Sequence, residues 1–213
     1  MSLRIPAQTQ QREVHPYGHP LKVVKIVDAP AKIYEVFGQI EGVLDVWQTE
    51  SCSLINDCEI PGTEIVYERA QHTIEKIRDT FRLFALIKEE SLKRISPCIY
   101  LVCLDSLEEI QGLCVLTGSS KSRESDQNLE MEYLVTRPIH ICNPNLEQEN
   151  RIAGIGKRLL RESELVAREY PHIRQLTATA FRSAYSFYCQ EGFEVTGEFP
   201  KDPNGNVRIH KNI

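Results

Sequence analysis

No stretch of about 18 apolar residues occurs in this chain, so no membrane-spanning helix is expected. The first twenty residues, MSLRIPAQTQQREVHPYGHP, lack the apolar core of a secretory leader, which argues against export. No run of Lys or Arg stands out. Of the 25 basic and 30 acidic residues, 12 and 14 precede Ser96, so neither half is basic and the net charge is −5. The electrostatic footprint of a nucleic-acid binder is missing. The seven cysteines, at 52, 58, 98, 103, 114, 142 and 189, form no C-x-x-C pair. A zinc site needs clustered thiol or imidazole ligands, and the close pair His15 and His19 is split by a Pro-Tyr-Gly turn. No metal is expected. Cys98, Cys103 and Cys114 fall in apolar segments, where a free thiol behaves as a small hydrophobe. A reduced, cytoplasmic setting fits this usage, with no nucleic acid and no membrane as partner. There is no internal repeat, no low-complexity block and no interdomain linker.

What is present is an ordinary globular composition: 213 residues, 41% hydrophobic and 26% charged. A chain of this length buries roughly 70–75% of its unfolded surface and needs no covalent or metal staple. One domain over 1–213 is expected. Residues 1–20 read as an irregular arm. Leu21 to Val27 is β-branched and reads as a strand. Asp28 and Pro30 start a helix whose apolar face is Ile33, Val36, Phe37, Ile40, Val43 and Leu44, with Gly42 weakening its end. Thr63 opens a long helix over 64–93 carrying Ile74, Ile77, Phe81 and Phe84, stopped before Pro97.

The pattern then changes. Ile99 to Leu104 and Ile110 to Thr117 are β-prone, joined by the acidic link Asp105 to Glu109, and read as an antiparallel hairpin. Leu129 to Thr136 is a third strand, followed by a loop over 137–150. Ile152 to Tyr170 reads as a helix, Ile173 to Ala178 as a strand, and Phe181 to Gln190 as a helix ended by Gly192. Phe193 to Phe199 and Val207 to His210 are two last strands around an Asp-Pro-Asn-Gly turn. The order β-α-α-β-β-β-α-β-α-β-β implies an α/β (α+β) protein with a mixed, mostly antiparallel sheet flanked by helices.

Residues 151–156, Arg-Ile-Ala-Gly-Ile-Gly, follow a strand and open a helix. Free N–H groups at a helix start suit a phosphate or pyrophosphate, and Lys157 and Arg158 add positive charge. The segment is neither a Walker A loop nor a full G-x-G-x-x-G, since Leu159 stands where the third Gly belongs. Thirty residues on comes Ala184-Tyr185-Ser186-Phe187-Tyr188-Cys189-Gln190-Glu191-Gly192-Phe193.

With these two segments the chain resembles the GNAT superfamily of N-acetyltransferases. Arg151, Gly154 and Gly156 match its Q/R-x-x-G-x-G/A acetyl-CoA loop. Ala184, Phe187, Tyr188, Gly192 and Phe193 match its A-x-x-F-Y-x-x-x-G-F segment. The resemblance spans roughly residues 99–198, within a 96–213 acetyl-CoA-binding core, and residues 21–95 match by element order alone.

The resemblance implies a GNAT-like acyl-CoA N-acyltransferase fold and transfer of an acetyl group from acetyl-CoA to a primary amine by direct attack. The pantetheine arm would pair with the backbone of Leu134, Val135 and Thr136. The pyrophosphate would sit on the N–H groups of Ile152, Ala153, Gly154, Ile155, Gly156 and Lys157, after Arg151, with Ala184 in the adjoining segment. Tyr188 would be the acid at the departing sulfur. Glu130 and Glu132, one residue apart on the third strand, share a face and are the candidate bases. Cys189 reads as a packed helix residue, since no partner base for a nucleophile is evident.

Two departures from the family pattern bear on the acceptor. Phe181 stands where an Asn often occurs, and the 138–150 loop, with Ile139, His140, Ile141 and Cys142, is longer than usual. That loop could wall the acceptor pocket or cover the cofactor, and His140 in it reads as structural rather than as a base. The acceptor could be a small amine, an antibiotic, a protein Lys or an N-terminus. A longer acyl group is a further alternative, and so is a non-catalytic CoA-binding or protein-interaction module. Helix 64–93 could flank the acceptor or form a homodimer face.

Overall fold

The computed structural model describes residues 21–27, 30–56, 67–68, 71–72, 74–75, 98–118, 127–140, 152–197 and 205–213. The expected arm at 1–20, most of the 64–93 helix, the loop residues 141–150, Arg151 and the turn at 202–204 lie outside these residues.

Seven strands form one sheet: β1 (Lys22–Val27), β2 (Cys98–Leu104), β3 (Ile110–Gly118), β4 (Asn128–Thr136), β5 (Gln175–Phe181), β6 (Glu194–Val195) and β7 (Asn206–Asn212). Their spatial order is β1-β2-β3-β4-β5-β7-β6. Every neighbouring pair is antiparallel except β4 with β5. A parallel pair cannot be closed by a tight turn. The crossover here carries α2 (Ile155–Arg168). The mixed, mostly antiparallel sheet flanked by helices is thus the fold class that the element order implied.

β2 reads Cys-Ile-Tyr-Leu-Val-Cys-Leu without polar alternation because both of its faces are covered. Ile99, Leu101 and Cys103 join a core shared with α2, whereas Tyr100, Val102 and Leu104 join a second core on the opposite face. That second core is closed by α1 (Pro30–Asn56) and by the helical residues around Ile74. A fully buried Leu or Ile contributes about 1.5–3 kcal/mol relative to an exposed one.

α1 corrects the expectation that Gly42 marks a weakened end: the helix continues to Asn56. Its apolar stripe continues through Leu44, Trp47 and Ser51 at helical spacing, all at most 1% exposed. Gly42 itself faces open space, so it costs propensity without breaking the packing. Ser51 satisfies its buried hydroxyl on the Trp47 carbonyl at 3.0 Å.

The last segments are also trimmed relative to expectation. β5 runs to Phe181, so the following helix is a 3₁₀ turn (Arg182–Ala184) and then α3 (Tyr185–Gln190).

Candidate functional site

β4 and β5 pair only through Asn128–Met131 and Gln175–Ala178. Beyond that point they part. β5 goes on pairing with β7 as far as Phe181, and β4 goes on pairing with β3 through Thr136. The β5-facing backbone edge of Leu134, Val135 and Thr136 therefore has no strand partner among the described residues. Unpaired N–H and C=O groups on such an edge are ready to pair with an extended ligand. A register shift at Val115/Leu116 puts Glu132 out of the regular ladder, at the first residue beyond the last β4–β5 pair.

The first turn of α2 stands beside this edge. Gly154 caps it at φ 85, in the left-handed region where a side chain is strained. The first N–H groups of a helix lack intrahelical partners and carry the positive end of its dipole. A β-carbon on Gly156 would lie 3.1 Å from the Phe187 ring of α3 and 3.9 Å from Leu134 of β4. The helix start, the free strand edge and α3 thus converge. Lys157 closes the far side through an ion pair to Glu191 at 2.9 Å.

The helix reaches the sheet this closely because of Gly112 on β3. A β-carbon there would come within 2.5 Å of the Ile155 methyl and 3.0 Å of Leu159. Gly112 was not singled out from the sequence, although a lone glycine inside a strand is a signal of close approach.

Tyr188 of α3 is buried against Phe187 and Phe193, both edge-on, with centroids 5.1 and 5.5 Å away. Burial pushes its phenol well above the ordinary value, and Cys114 adds in the same direction. The hydroxyl therefore stays protonated, so it keeps an O–H to donate and does not serve as a base. Ala184 packs against the same core at the start of α3.

Cys189 corrects the expectation of a packed residue. It is exposed, next to Tyr185. Consecutive helix residues are about 100° apart, so burying Tyr188 turns Cys189 outward.

Glu130 and Glu132 lie on the sheet face opposite Tyr188. Leu129 and Met131 point to the α2 side, which places Glu130 on the other. Arg208 of β7 forms an ion pair with Glu130 and also donates to Thr179 at 3.2 Å. Thr117 donates to Glu132 at 2.9 Å, and Thr117 is the cross-strand partner of Glu130, so both carboxylates share that face. Arg151 lies outside the described residues.

One group of residues was not legible as part of the site. After β4 comes a 3₁₀ turn, Pro138–His140, in which His140 is buried. Its Nδ1 accepts the Ile152 N–H at 3.1 Å, at the entry to the glycine turn. Its Nε2 lies 2.8 Å from Gln111 Oε1. The Ile152 N–H is thus already engaged and is not a free donor for an anion. The turn is held to α1 by Arg137, which makes a bidentate ion pair with Glu50. The signal for His140 was only a polar residue between two apolar ones.

No family model matches the chain, and no curated protein matches it. Among solved structures, it is similar to a PaiA N-acetyltransferase from Thermoplasma acidophilum in complex with coenzyme A. That likeness has 16% identity and a TM-score of 0.49, and covers 89% of this chain and 99% of that one. It is similar to an acetyltransferase of the GNAT family from Staphylococcus aureus, at 16% identity, coverage of 89% and 98%, and a TM-score of 0.45. It is also similar to a spermidine N-acetyltransferase chimera from Vibrio cholerae, at 10% identity, coverage of 89% and 95%, and a TM-score of 0.45. At these identities and TM-scores the likenesses carry no chemistry over to this chain. In its two sequence signatures, its strand order and its parting of β4 from β5, the chain resembles the GNAT superfamily.

Proposed function

We propose that the protein transfers an acetyl group from acetyl-CoA to a primary amine by direct attack. The observation that carries this reading is the convergence at one place of the free β4 edge, the glycine-capped start of α2 and the α3 segment bearing Tyr188. Each part matches one demand of the co-substrate. The strand edge at Leu134, Val135 and Thr136 suits the amides of a pantetheine arm. The N–H groups of Ala153, Gly154, Ile155, Gly156 and Lys157 suit a pyrophosphate. A thioester at the end of that arm would meet Tyr188.

The chemistry balances without a covalent enzyme intermediate. The amine nitrogen bonds to the thioester carbon, the C–S bond breaks, and the amine proton is lost. A backbone N–H on the β4 edge is suited to polarise the carbonyl. Glu130 or Glu132, directly or through water, takes the amine proton. The Tyr188 phenol supports the departing sulfur. A free thiol ionises near 8.5, below a phenol. Tyr188, held neutral by burial, thus acts chiefly as a hydrogen-bond donor to the sulfur. CoA leaves as a thiolate hydrogen-bonded to the phenol. The proton taken up by the carboxylate passes through solvent to that sulfur, so that below about pH 8.5 the products are a neutral amide and a neutral thiol.

Calorimetric titration with acetyl-CoA and CoA tests the first half, with micromolar binding expected. Release of free thiol in the presence of a panel of polyamines, aminoglycosides and Lys peptides tests the second. Binding with no turnover of any amine favours a non-catalytic CoA-binding module, for which Phe181, in place of a polar residue, is the supporting feature. No binding by folded protein rejects both.

A further inference from the structure

His140 is a buried histidine that the proposed chemistry does not use, and its hydrogen bonds fix its protonation pattern from both ends. Asp105 Oδ1 accepts the N–H groups of Leu107 and Glu109 at 2.8 and 3.0 Å, which sets the β2–β3 turn. Its Oδ2 accepts from Gln111 Nε2 at 2.7 Å. A carboxylate only accepts, so the Gln111 amide nitrogen faces it and the amide oxygen faces His140. That oxygen only accepts, so His140 Nε2 carries the proton. Nδ1 is then bare, and it accepts the Ile152 N–H. Each link requires the next. Gln111 is 2% exposed and His140 7% exposed, so water does not readily replace either partner.

We infer that His140 is a positioning residue that fixes the entry of the glycine turn, and that a proton on Nδ1 releases this entry and weakens CoA binding. Protonation sets a ring N–H donor against the Ile152 N–H donor. One hydrogen bond becomes a repulsion, two residues before the helix cap at Gly154. The ligand in this inference rests on the acetyl-CoA reading above.

The charged groups around the ring are arranged in sets. From the β2–β3 turn come Asp105, bonded to Gln111, and Glu109, which lies 3.7 Å from Arg137. From the ring's own segment comes Arg137, paired with Glu50 of α1. On α2 itself, Arg158 is paired with Glu162 at 3.1 Å.

Two measurements test the inference. The first uses the wild-type apoprotein and nitrogen-15 NMR between pH 8 and 5.5. The His140 ring is expected as the Nε2–H tautomer, and the Ile152 amide proton is expected to shift, and to exchange faster with solvent, as the ring titrates. A ring that stays unprotonated down to pH 5.5, or an Ile152 amide that ignores the ring titration, overturns the inference, whatever the protein binds.

The second measurement follows CoA affinity over the same range. The wild type is expected to weaken toward acid by up to about tenfold per pH unit, the limit for one linked proton. In His140→Asn the side-chain oxygen takes the place of Nδ1 and does not titrate. Its affinity at pH 8 is expected within about threefold of wild type, with a flat acid limb, whereas His140→Leu should bind at least tenfold more weakly. The phosphate monoester of CoA also titrates near pH 6, but equally for both proteins, so its effect cancels in the comparison. Parallel pH profiles for wild type and His140→Asn overturn the inference. A titrating Ile152 amide in a protein that binds no CoA at pH 8 rejects the cofactor reading and leaves the latch in place.

Discussion

The ring of Tyr188 and its hydroxyl do different jobs. The ring fills the core between Phe187 and Phe193, and Tyr188→Phe leaves that packing unchanged. The hydroxyl alone is removed. We expect kcat to fall by roughly ten- to a thousandfold with little change in acetyl-CoA affinity, as read from steady-state kinetics and calorimetry. An unchanged kcat would sink the donor role. The raised ionisation of the phenol adds a second expectation of the same residue. It remains protonated through the ordinary assay range, so an alkaline decline below about pH 10 comes from another group. Tyr188 was legible because it sits in a motif. His140 was legible only as a loop histidine, because its meaning depends on Gln111 and Asp105, roughly 30 positions earlier, and no local pattern connects them. Cys189 was misjudged for a related reason: a six-residue helix is too short to display a stripe, so periodicity did not say which side faces out.

Among the elements, the contact between α2 and β3 is the one that aims the glycine turn. Gly112→Ala would place a methyl against the stiff, β-branched Ile155, where only movement of the helix relieves it. The expected cost is about 1–3 kcal/mol in urea unfolding. CoA affinity should fall more than the stability alone explains, because Ile155 is the first residue of α2. A variant with normal affinity would mean the helix start tolerates displacement. Elements with a strong local pattern were legible from the sequence: α2 by its periodic apolar face, the β2–β3 hairpin by two continuous β-prone runs around a short acidic link. α1 was read as ending early because Gly42 was weighed by propensity. Burial of Trp47 and Ser51 outweighs that penalty, and burial is a tertiary quantity. The parting of β4 from β5 could only be inferred through the resemblance, since no residue at Met131 or Ala178 announces it.

For the whole molecule, the two sealed thiols and the sealed phenol make stability sensitive to alkali. Burial pushes Cys103 and Cys114 up to about 12 and raises Tyr188 as well. In the unfolded chain the thiols ionise near 8.5 and the phenol near 10. Their folded values are raised, so the stability they contribute is full below about pH 8.5 and declines as pH climbs toward the folded values. Each contributes a slope of about 1.4 kcal/mol per pH unit once the unfolded group is ionised. Urea midpoints at pH 8, 9.5 and 11 should fall progressively, and Cys114→Ala should make the fall shallower. A midpoint independent of pH over that range would mean the thiols ionise in place.

The order of strands along the sheet also sets an order in time. β2 and β3 are joined by the five residues Asp105–Glu109, whereas β1 must find β2 across the chain between Val27 and Cys98. Loop-closure entropy makes the second event costlier by about 2 kcal/mol, from the logarithm of the two loop lengths. The β2-β3-β4 meander is therefore expected to form first, with β1 arriving last at its open edge. Pulsed hydrogen exchange during refolding would reveal this as late protection of Val23 to Ile26. Until then the edge of β2 is bare, and a second unfolded chain competes for it. Rapid dilution at high protein concentration should accordingly lose more material to aggregation than slow dilution at low concentration.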